Sequence, residues 1–194
     1  DIRMVGVFDT VGALGAPTPL LGRFTRNWVG FFNTRICAQV KYAYHALALD
    51  EKRGPFAPSL WTGDLQENQY VEQCWFAGVH SDIGGGYENS GLSDITLQWM
   101  VNKARNLGLE FNHNYLDTLC KPNLHMLPHD SYSLSYKLMH KLGNSKAARH
   151  IYGDPANPPL HISIHDSVYQ RIAAGKYQPA NPDFPAADKL ADRR

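Results

Sequence analysis

Two short apolar runs in this chain each end on a titratable residue. Ile2 to Phe8 (I-R-M-V-G-V-F) is mostly apolar and rich in β-branched and aromatic residues, the pattern of a buried strand. It leads into Asp9-Thr10-Val11-Gly12-Ala13-Leu14-Gly15, where two glycines and a polar pair mark a loop. Gln73 to Val79 (Q-C-W-F-A-G-V) repeats the pattern and leads into His80-Ser81-Asp82-Ile83-Gly84-Gly85-Gly86-Tyr87. Elsewhere the period lengthens. Ile36, Val40, Ala43, Tyr44, Leu47 and Ala48 recur at helical spacing and predict a helix within 33–49. Leu92, Ile95, Thr96, Trp99, Met100, Ala104 and Leu107 predict another, with Ser93 or a neighbour at its start and Gly108 at its end. Residues 121–160 are rich in Pro, Asn, His and Ser and read as irregular, with a helical piece near Tyr132 to Leu142. Asp166 opens a short helix through Ile172, and 179–194 reads as a loosely held tail.

This order predicts an α/β fold: part of a mostly parallel sheet with flanking helices and an irregular C-terminal segment, in a single domain over 1–178. A length of 194 residues suits one domain with a real core. The 19 basic and 18 acidic residues give a formal net charge of +1, and no basic stripe appears, so a nucleic-acid partner is not expected. No apolar stretch is long enough to span a bilayer. The first residue is Asp1 rather than Met, which reads as a processed or truncated product. Cys37, Cys74 and Cys120 are odd in number and far apart. They fit reduced, buried thiols and synthesis in a reducing cytoplasm better than a disulfide framework.

Asp9 and His80 are the leading candidates for chemistry. Each follows a strand, and chemistry in open α/β sheets sits at that edge. Their order, acid then histidine, is that of a hydrolase triad, in which the carboxylate fixes the base's tautomer. The plainer readings are a turn or cap aspartate and a merely hydrogen-bonded histidine. Thr10 and Ser81 adjoin the pair as candidate lining residues. Asp82 reads first as a turn-former bonding the following glycine amides, then as a carboxylate behind the base, then as a metal ligand. Gly84, Gly85 and Gly86 fail phosphate-loop spacing and suit a tight turn with a close backbone approach. His161 and His165 stand four apart, but His-Ile-Ser-Ile-His alternates as a strand does, and no third ligand is identifiable. Leu20, Leu21, Phe24, Trp28, Phe31 and Phe32, with Arg23 and Arg26, read first as packed core and second as a lid or lipid-contacting segment.

The blocks G-V-F-D-T-V-G-A-L-G (6–15), Y-H-A-L-A-L-D-E (44–51) with Arg53, Phe56 and Pro58, W-F-A-G-V-H-S-D-I-G-G-G-Y (75–87) and L-S-D-I-T-L-Q-W-M (92–100) together resemble one family. It is the domain of unknown function 2235, also described as the catalytic domain of type VI secretion phospholipase effectors. The resemblance covers most of 2–108 and returns weakly at 165–171 and 177–181. It implies an α/β-hydrolase-like fold and hydrolysis of a phospholipid or other acyl-ester lipid by a Ser-Asp-His triad. It further implies Asp9 as acid, His80 as base, no cofactor, export as an effector and peripheral contact with a membrane. The family's G-x-S-x-G elbow would lie upstream of Asp9. Within the chain, Ser93 and Ser145 stand in half-matches only, Ser93 at a helix start and Ser145 after a helical pattern. The nucleophile is therefore expected in an upstream part of the parent polypeptide, and the isolated chain is expected to be inactive. Two alternatives stand beside this reading. One is a metal-dependent hydrolase using His80, Asp82 and His161 or His165. The other is a non-catalytic binding module derived from a hydrolase.

Overall fold

The structure, a computed structural model, describes residues 1–12, 34–131 and 148–185. Its centre is a four-stranded, all-parallel sheet in the order β1-β2-β3-β4, formed by Ile2–Phe8, Val40–Ala48, Tyr70–Phe76 and Ile162–Ile164. The helices among the described residues are α1 (His80–Gly84), α2 (Gly91–Asn106), α3 (His113–Leu119) and α4 (Asp166–Ala173), with a 3-10 turn at Gly54–Phe56. None is long and apolar enough to cross a membrane.

Alternation along the two central strands divides the core. Tyr44, Ala46, Ala48, Cys74 and Phe76 pack against Leu92, Ile95, Trp99 and Met100 of α2 on one face. Leu47, Leu49, Trp75 and Ala77 pack against Ile151 and Val168 of α4 on the other. Such two-sided cover is what a parallel sheet requires. The sheet and its flanking helices fit the α/β-hydrolase-like class.

The segment expected to be helical within 33–49 is instead strand β2 over Val40–Ala48. A strand buried on both faces is apolar throughout, and a continuous apolar run satisfies a 3.6-residue period as readily as a two-residue one. β3 begins three residues earlier than the sequence suggests and ends at Phe76, because Gly78 at φ 128 turns the chain out of the ladder. α2 falls where its pattern places it. Its N-cap is Ser90, whose hydroxyl donates to Asp94 at 2.9 Å, while Ser93 donates back to the Ser90 carbonyl at 2.9 Å. Gly108 (φ 88) closes the helix: Gly108 N–H donates to Arg105 O and Leu109 N–H to Ala104 O, the two bonds of a Schellman end. α3 was not foreseen, and α4 begins at Asp166 as expected.

All three cysteines are free, but only Cys74 is buried, and Cys37 is exposed. Burial pushes the Cys74 thiol up to about 12. Of the segment read as a tail, Asn181 is buried and Phe184 packs on the second core cluster. The aromatic stretch with Leu20, Leu21, Phe24, Trp28, Phe31 and Phe32, the helical piece of 132–142, Ser145 and residues 186–194 lie outside the described residues.

Candidate active site

The C-terminal ends of β1, β2 and β3 converge on one carboxylate. Asp9, the residue after β1, is wholly buried and adopts φ 44, a left-handed conformation that aspartate tolerates better than most residues. The turn is tied on both sides. Asp9 N–H donates to Ala46 O at 2.7 Å, Thr10 N–H donates to Nε2 of His45 at 3.0 Å, and the Thr10 carbonyl accepts from Ser59 N–H at 2.8 Å. Backbone strain held by so many bonds is characteristic of functional sites. Oδ1 of Asp9 accepts the Ala48 N–H at 2.9 Å, which stretches the carboxylate across the end of β2.

Oδ2 of Asp9 lies 2.7 Å from Nδ1 of His80, the first residue of α1. An ionised carboxylate only accepts, so Nδ1 carries a proton, and in the neutral imidazole Nε2 is the nitrogen with the lone pair. The His80 side chain is 29% exposed, and no described residue hydrogen-bonds Nε2. Glu51 accepts the His80 backbone N–H at 3.3 Å, and the Phe56 ring meets the imidazole edge-on at 5.2 Å. Glu51 also holds Arg53 at 2.9 and 2.8 Å, and the Arg53 guanidinium lies 3.7 Å over the Phe56 ring. The stretch from Glu51 to Phe56 is thus one wall of the site.

Behind Asp9 stands Arg149. Its guanidinium contacts both carboxylate oxygens, at 2.6 Å and 3.0 Å. Burial alone would raise the Asp9 pKa. The His80 hydrogen bond, the Arg149 charge and bond, and the Ala48 N–H outweigh it and lower the value to about 2. Asp9 therefore stays a carboxylate throughout the neutral range. His45, buried beneath the turn, is lowered to about 4, chiefly by burial, and remains neutral.

Asp82 does not bond the glycine amides as expected. Its carboxylate accepts Val79 N–H at 3.0 Å and His129 N–H at 3.1 Å, and it pairs with Nδ1 of His129 at 2.6 Å. Tyr87 stacks on that imidazole with centroids 3.8 Å apart. Asp82 thus holds the 121–131 segment against α1, and its partner is His129 rather than His80. Ser81 lies beside the Tyr87 hydroxyl. Gly84 ends α1, and Gly85 (φ 85) and Gly86 (φ 116) make the tight turn. An added Cβ at either of the last two would meet nothing within 4 Å, so their need is conformational rather than a close approach.

The metal reading finds no support in the geometry. His165 Nδ1 accepts from Ser167 N–H at the start of α4, and its ring stacks on Phe76 at 4.5 Å. His161 packs against Tyr70, with centroids 6.2 Å apart. Among the described residues, no three His, Cys, Asp or Glu side chains gather as a metal ion would need.

Sequence reasoning overlooked Arg149, His45 and His129. Arg149 sits in a segment without periodicity, where nothing local marks it. His45 was visible only as one residue of an apolar run.

No curated protein and no solved structure matches the chain. The family model for the T6SS phospholipase effector Tle1-like catalytic domain matches residues 1–103, which hold Asp9, Glu51 and His80. The chain therefore belongs to the Tle1-like phospholipase effectors of type VI secretion, and residues 1–103 are part of their catalytic domain.

Proposed function

We propose that this chain supplies the acid and base of a serine hydrolase that cleaves the acyl ester of a phospholipid or similar lipid. The observation that carries the reading is the 2.7 Å contact from Asp9 to Nδ1 of His80, with Nε2 left unpartnered among the described residues. In this reading the nucleophile is a serine in a part of the polypeptide upstream of Asp9. Its hydroxyl gives its proton to His80 Nε2 as the oxygen attacks the acyl carbonyl. The imidazolium formed is stabilised by Asp9, then returns the proton to the leaving alcohol. A water molecule activated by the same nitrogen releases the fatty acid. No cofactor enters these steps. The lipid substrate brings the protein to a membrane surface as a peripheral visitor, and the domain is read as continuous over 1–178. The Ser93 hydroxyl, spent on the Ser90 carbonyl at the start of α2, is not the nucleophile in this scheme.

The test is fatty-acid release from phospholipid vesicles by the longest native polypeptide containing this chain. His80→Ala and Asp9→Asn are each expected to lower turnover by about 10³-fold or more. The 194-residue chain alone is expected to release none. Turnover untouched by His80→Ala, or abolished by a chelator and restored by a divalent metal, would refute the reading.

A further inference from the structure

Arg149 reaches Asp9 from well beyond the stretch that carries the family match. Its side chain is 5% exposed. Nη1 donates to Asp9 Oδ1 at 2.6 Å and to the Ala48 carbonyl at 2.8 Å. Nη2 donates to Asp9 Oδ2 at 3.0 Å and to the Phe56 carbonyl. The guanidinium thus ties the end of β2 and the Phe56 wall to the carboxylate that faces His80. Its own backbone is fixed too. Asn181 donates to the Arg149 carbonyl at 2.9 Å and to Leu49 O at 3.1 Å. Asp183 accepts the N–H groups of Ile151 and Tyr152, at 2.9 and 3.0 Å. A buried Arg fork held this firmly can fix both the position and the charge of its carboxylate.

We propose that Arg149 is a positioning residue for the Asp9–His80 pair: its fork holds the carboxylate in the geometry that orients the imidazole. Oδ2 of Asp9 is shared between the guanidinium and the imidazole, so a shift of the fork moves the acceptor that faces His80 Nδ1. Among the described residues, the other titratable or charged groups beside the pair are His45 from β2 and Glu51 with Arg53 from the segment that follows it. On α1, Asp82 is occupied by His129. Among these, only Arg149 bonds both oxygens of Asp9.

This inference rests on the reading of Asp9 and His80 as the acid–base pair, and two readouts separate the failure of one from the failure of the other. The first is the proton NMR resonance of the His80 Nδ1–H, which reports its hydrogen bond to Asp9, in the longest native polypeptide. The second is kcat and KM for vesicle hydrolysis by the same protein. In Arg149→Met, the Nδ1–H resonance is expected to move upfield or be lost to exchange as the bond to Asp9 loosens. The kcat is expected to fall by about tenfold or more with KM unchanged, as for loss of an interaction that matters in the transition state. Arg149→Lys keeps the charge and loses the fork, so the same two changes are expected in it. An unmoved resonance in Arg149→Met, in an enzyme that His80→Ala inactivates, overturns this inference alone. If Arg149→Met does not fold, an unmoved resonance and kcat in Arg149→Lys overturn it. Turnover that survives His80→Ala overturns the acid–base reading and the inference with it.

Discussion

At the scale of single residues, the site is built from groups whose charge states are fixed by burial and pairing. His45 and Asp9 make this measurable. His45 has its pKa lowered from 6.5 to about 4 by burial, so the unfolded chain holds more protons between those values. Stability is therefore expected to fall as pH drops from about 6.5 towards 4, by about 3 kcal/mol in all. Asp9, lowered from 3.8 to about 2, continues the loss below that window, because its folded carboxylate resists a proton that the unfolded one accepts. Urea denaturation at about pH 7 and about pH 4.5 would show the first loss, and His45→Gln is expected to flatten it. A stability independent of pH over that range would contradict the buried, neutral imidazole. Asp9 and His80 were legible in the sequence because each ends an apolar run. Arg149 and His129 were not, since each gains its meaning from a partner distant in sequence: Asp9 for the one, Asp82 for the other.

At the scale of elements, legibility followed burial. α2 has one apolar stripe and one wet face, so its period was readable, and its Gly108 end matched the sequence signal. β2 is covered on both faces, and its alanines, tyrosines and leucines gave no alternation to read. The turn between β3 and α1 depends on Gly78 for a reason that spacing alone could not reveal. At φ 128, a Cβ there would stand 2.5 Å from the Asp82 Cβ, against the carboxylate that closes the N-terminus of α1. Gly78→Ala is expected to destabilise the fold by about 2 kcal/mol or more and to displace His80 from Asp9. Urea denaturation tests the first effect, and an unchanged midpoint would contradict the packing described.

At the scale of the molecule, the candidate site joins segments far apart in the chain. β1 brings Asp9 and α1 brings His80, while the segment before β4 brings Arg149. β1 stands at one edge of the sheet, with no described strand on its outer side, and Ile2 is 48% exposed there. An open edge invites pairing. The isolated chain is expected to self-associate as its concentration rises, in sedimentation velocity runs; a monomer at every concentration would argue that the edge is covered. The α/β class was readable from the order of apolar runs, whereas the all-parallel four-strand order was not, because the apolar run of β2 fits a helical period as well as a strand. The claim on which the rest depends is that His80, oriented by Asp9, activates a serine. It is tested most directly by fluorophosphonate labelling of the longest native polypeptide, with the modified residue located by mass spectrometry. A single labelled serine upstream of Asp9, lost in His80→Ala and weakened in Asp9→Asn, is the expected result. Equal labelling in wild type and His80→Ala, or turnover without any labelled serine, would contradict it.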